Sequence, residues 1–156
     1  MKRLGLTSLA LLAAAASLSL AAAEPAQKGK FEKSFPFTGD KDIKIGFKYH
    51  DVTIESFRIR HWPDGDDIRK GEKDHSDTHT SWVDFTYSNR DDGHDYKCTY
   101  TVTVPGGPNG VYGKNDRTAT LDKGKRDDTN KLSLRMKTHE YRLAKTIKIS
   151  LEVWRK

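Results

Sequence analysis

From Lys41 onward the chain alternates apolar and polar residues. Ile43, Ile45, Phe47 and Tyr49 are interleaved with Lys44 and Lys48. A period of two puts such residues on one face of an extended backbone, which predicts a half-buried strand. Val52 and Ile54 repeat the pattern, and Phe57, Ile59 and His61 take it up on the opposite parity. The switch near Glu55 and Ser56 predicts a bulge or bend in one segment, or a break into two short strands. Alternation returns over 82–87. It is clearest from Tyr96 to Val104, where Thr99, Thr101 and Thr103 occupy the other face. Thr118 to Leu121 reads as a short edge strand. Leu132, Leu134 and Met136, then Ile147, Ile149, Leu151 and Val153, complete the series.

Turn chemistry separates these segments. Asn89 to Gly93, the run PGGPNG at 105–110 and the charged stretch 122–130 are rich in residues that favour turns. Only KTHEYRLAK at 137–145 suggests a helical turn. Strands with one apolar face and no helices to cover it must stack sheet on sheet or close on themselves. The expected fold is therefore all-β: a single antiparallel β-sandwich of Ig-like type, with a small β-barrel as the alternative.

The N-terminus has a different pattern. Lys2 and Arg3 precede an apolar run of Leu and Ala, which ends in Ala21-Ala22-Ala23. This is the three-part arrangement of a cleavable secretory signal, expected over 1–23. An extended segment over 24–40 then leads into a sandwich domain over 41–156, with Phe31, Phe35 and Phe37 as candidates to pin that segment down. Secretion or a periplasmic location is the corresponding expectation, with no transmembrane segment in the mature form. Cleavage would remove two of the 28 basic residues and none of the 22 acidic ones, lowering the net charge from +6 to +4. A modest excess of mixed charge serves solubility and gives little support to nucleic acid as a partner. The lone Cys98 cannot form an internal disulfide; its parity with Tyr96 and Tyr100 predicts a small buried side chain.

The series Val83-x-Phe85-x-Tyr87-Ser88-Asn89, then Tyr96-x-Cys98-x-Tyr100-x-Val102-x-Val104, a glycine-rich turn and a last strand ending at Val153 form a further pattern. It resembles the secreted Ig-like accessory domains of bacteria, including the FxLYD-type sandwiches. The resemblance spans roughly residues 83–153. It implies a non-catalytic domain and carries no functional residue over. The short motif that names that family is absent, as are the paired cysteines of true immunoglobulin domains.

Candidate chemistry concentrates in the polar stretch 62–80. His75 and His79, four residues apart, are the only close histidine pair, and imidazoles so spaced can bind zinc or copper. A third ligand, from His61 or His94, would have to come from the fold. Trp62 beside Pro63, with Asp64, Asp66 and Asp67, forms a candidate partner-binding segment, and 105–116 forms a second. Trp82 is expected in the core. Lys131, Arg135 and Lys137 share the face opposite Leu132, Leu134 and Met136, a pattern suited to an acidic glycan. No nucleophile elbow, phosphate loop or twelve-residue calcium loop is present. The expected function is an exported, non-catalytic binding or structural module for a protein or cell-envelope component, without a cofactor. The alternative is a periplasmic or secreted copper- or zinc-binding protein using loop histidines.

Overall fold

A computed structural model describes residues 27–62 and 78–156. Among the described residues eight strands form two antiparallel sheets: β1 (Gly29–Pro36), β2 (Lys41–Tyr49), β3 (Val52–Trp62), β4 (Thr78–Asn89), β5 (Tyr96–Pro105), β6 (Val111–Leu121), β7 (Asp128–Lys137) and β8 (Thr146–Arg155). A six-residue helix, α1 (Thr138–Leu143), joins the last two strands. One sheet has the order β1-β8-β5-β6 and the other β2-β3-β4-β7. The fold is a β-sandwich, as the alternation requires, and not a closed barrel. Among the described residues no helix is long and apolar enough to cross a membrane.

The inward faces match the apolar parities. Ile54, Phe57, Ile59, Val83, Phe85 and Tyr87 from one sheet meet Cys98, Tyr100, Val102, Ile149, Leu151 and Val153 from the other. The parity switch in β3 is real: its register with β4 shifts between Ile54 and Ser56. A second irregularity lies between Lys44 and Phe47 in β2, at Gly46, whose φ of +62° suits glycine.

Part of the segment expected to be merely extended is a regular strand. β1 pairs with β8 from Gly29↔Val153 to Pro36↔Thr146. Phe31 and Phe35 pack against the core and Phe37 is fully buried, so the phenylalanines do pin it. β6 is longer than its sequence pattern suggests because its middle, Lys114 to Arg117, is polar on both faces. Those polar side chains bind the neighbouring sheet edge. Asn115 Nδ2 donates to the Ser133 carbonyl at 2.6 Å and Arg117 Nη1 donates to that of Lys131 at 3.0 Å. Edge carbonyls of β7 are thus covered by side chains instead of a ninth strand.

Asn89 ties the far end together. Its Nδ2 donates to the carbonyls of His94 and Leu121, both at 3.0 Å, and its Oδ1 accepts from the Asp91 amide at 3.0 Å. The residue is fully buried. Replacing Asn89 by Ala strands these groups and is expected to cost about 2–3 kcal/mol, read as a lower urea midpoint at unchanged slope. A loss within error of zero would show that water replaces the amide.

Candidate functional site

The outward face of the β2-β3-β4-β7 sheet brings polar and aromatic side chains together on one surface. Its composition follows from parity: with Phe57, Ile59 and His61 inward, Arg58, Arg60 and Trp62 must point out. The same rule turns Trp82, Asp84 and Thr86 outward on β4, and Lys131, Ser133 and Arg135 outward on β7. Trp82 is therefore a correction to the core expected from its size. It is half-exposed because Val83, Phe85 and Tyr87 hold the inward positions.

The cross-strand register arranges these residues in rows. Trp62, Thr80 and Arg135 form one, Arg60, Trp82 and Ser133 the next, and Asp42, Arg58, Asp84 and Lys131 a third. In the third row charges alternate across the sheet. Arg58 Nε donates to Asp42 at 2.8 Å, which holds that carboxyl below its usual range and raises the guanidinium. Arg60 lies 3.2 Å from Asp42 and 3.4 Å from Asp40. The acids near β2 are therefore occupied, while Arg135 and Lys137 face outward beside the two tryptophans. Trp62 is 59% exposed. Lys131 Nζ sits 5.0 Å from the centre of the Trp82 ring, a cation–π distance.

Further along the same face, beginning one row beyond Trp82, lies a trough of about 540 Å³, with Lys44, Ser56, Arg58, Asp84, Thr86 and Lys131 among its walls. It presents cationic donors, hydroxyls and a carboxylate in one depression. Its volume falls within the range of small-ligand sites.

The residues singled out in the sequence have separate fates. Trp62 is exposed at the end of β3. Asp64, Asp66, Asp67 and His75 lie outside the described residues. His79 is fully buried on β4, facing inward. The fold brings His61 to it: His61 Nδ1 lies 3.1 Å from His79 Nε2. His94 is at the other end of the sandwich, 3.0 Å from Asp91 and in contact with Arg155. Among the described residues no three His, Cys, Asp or Glu side chains are grouped to hold a metal. In 105–116 the loop closes on itself, with Tyr112 packed over Gly106 and Gly107, where a Cβ at Gly106 would overlap the ring. Cys98 is fully buried. No family model and no curated protein matches this chain.

Proposed function

We propose that the chain is an exported, non-catalytic binding module that recognises an acidic glycan of the cell envelope or its surroundings through the outward face of the β2-β3-β4-β7 sheet. One observation carries this reading: two outward tryptophans, Trp62 and Trp82, stand in register with Arg135 and Arg60 on the same sheet face that holds a trough of mixed donors and acceptors. A pyranose ring offers apolar C–H faces that stack on indole, while its hydroxyls need both donors and acceptors. Asp84, Thr86 and Lys131 supply both kinds. Carboxylates or sulfates on the sugar would pair with Arg135 and Lys137, and guanidinium suits such groups because it can bind them bidentately. The lysine- and alanine-bearing N-terminal segment over 1–23 supports export.

The test is calorimetry of the purified protein against uronic-acid oligosaccharides and neutral oligosaccharides of equal length. Binding of the acidic series, weakened by salt, is expected. Trp62→Ala is expected to weaken it by about tenfold with an unchanged circular dichroism spectrum, since the side chain is exposed. Equal affinity in Trp62→Ala and Arg135→Ala, or no binding of either series, would remove this face as the site.

A further inference from the structure

The two sides of the sandwich are finished differently. On one side the edge strands β6 and β7 meet, and Asn115 and Arg117 bond the β7 carbonyls. On the other side the edges are β1 and β2. Among the described residues nothing bonds the outward N–H and C=O groups of β1. β2 is interrupted by its bulge at Gly46, whereas β1 keeps one register with β8 from Gly29↔Val153 to Pro36↔Thr146. A regular open edge is a template for one more strand. In the mouth between the two edges, Phe31 meets Phe47 and Phe35 meets Phe57, with ring centroids 5.8 and 4.9 Å apart. Phe31, Phe35 and Phe47 are only partly buried. Lys33 shares the face of Phe31 and Phe35 and is exposed, its Nζ 5.6 Å from the centre of the Phe35 ring. The acids of these two strands, Glu32 and Asp42, are held by Lys148 and Arg58. Lys33, and Lys41, Lys44 and Lys48 on β2, therefore leave the mouth positively charged.

We infer that the β1 edge is a docking site for an extended acidic segment of another protein, which joins the β1-β8-β5-β6 sheet as a further strand. Strand addition supplies main-chain hydrogen bonds, and the alternate side chains select the partner. The inward side chains of the added strand fall beside Phe31, Lys33 and Phe35. The pattern that fits is an apolar residue, an acid two positions on, and a second apolar residue two positions further. It reads the same in either direction, so it serves a parallel or an antiparallel partner. The apolar side chains cover Phe31 and Phe35, and the carboxylate meets the Lys33 ammonium where water is partly excluded and screening is weak. The lysines of β2 draw the same charge toward the mouth. Lys33 also argues against a second copy as the occupant. Two β1 strands paired antiparallel about Lys33 would set like charges opposite each other. The edge belongs to the sheet that does not carry the glycan face, so the two sites stand or fall separately.

The probe is a synthetic fluorescent peptide with valine, aspartate and valine at alternate positions, separated and flanked by threonine. Its anisotropy is followed as purified protein is added. Saturable binding that weakens with salt is expected. The same peptide with lysine in place of aspartate should bind at least about tenfold more weakly. Lys33→Glu alters an exposed side chain and should reverse that preference, whereas Trp62→Ala should leave it unchanged. Amide hydrogen exchange along β1 should slow when the acidic peptide binds, while exchange along β7 should not. Should Lys33→Glu fail to fold, the two peptides and the exchange pattern of the wild type decide. No binding of the acidic peptide, equal binding of the two peptides, a preference unmoved by Lys33→Glu, or no slowing in β1 overturns the inference. So does a stable dimer of the free protein with its β1 amides already protected, which would assign the edge to a second copy.

Discussion

Phe85→Ala is expected to destabilise the protein by about 3–5 kcal/mol, the cost of removing a large buried ring and leaving a cavity. Phe85 is fully buried on β4. Its ring stacks on Tyr100 of the opposite sheet with centroids 4.2 Å apart, and Phe57 of its own sheet is 6.2 Å away. It is thus a bridge between the layers, and close packing leaves little room for neighbours to fill the space. A domain of this size is stable by only about 5–15 kcal/mol, so the variant should unfold at much lower urea and melt well below the wild type. Trp82→Ala, three residues earlier on the outward face, should cost far less. Equal losses in the two variants would mean that the sheets do not interlock at Phe85.

The second large effect concerns Cys98. Its side chain has no exposure, and burial pushes the thiol up to about 12. Thiolate is the reactive form, so both access and ionisation protect the native protein. Alkylation by iodoacetamide at mildly alkaline pH should be slower in the folded protein than in the urea-unfolded chain by a factor of about 10³ or more. Non-reducing gels should show no disulfide-linked dimer of the native protein. Native and unfolded rates within tenfold of each other would place the thiol at the surface. Because the folded thiol holds its proton more tightly than an unfolded one, its contribution to stability is complete below about pH 8.5 and fades as pH rises toward its folded value. Tyr87 acts in the same direction: burial first, and then its hydrogen bond to Asp128, raise its phenol to about 12. Alkaline unfolding should therefore set in as these groups ionise in the unfolded chain.

Parity explains why some features were readable and others were not. The bulge in β3 was visible because a one-residue insertion reverses which positions are apolar, and Ile54 and Phe57 sit on opposite parities in the sequence itself. Trp82 was also legible: Val83, Phe85 and Tyr87 already claimed the inward positions, and only the size of the indole argued for the core. β1 left a weak trace because it is an edge strand whose partner, β8, lies more than a hundred residues away. The middle of β6 left none, since Asn115 and Arg117 serve the edge of β7 instead of the core. Sequence proximity paired His79 with His75. Within the described residues, space pairs it with His61, which the 57–59 parity had already turned inward.

The amino-acid order alone determined most of the strands, their inward faces and hence a layered β fold, because a pleated backbone alternates its side chains whatever it packs against. It did not determine which strands are neighbours. The rows that align Trp62 with Arg135 and Arg60 with Trp82, and the meeting of His61 with His79, depend on register between strands. Register is set by the collective fit of two apolar faces and the bulges between them, and no local stretch of the chain contains it.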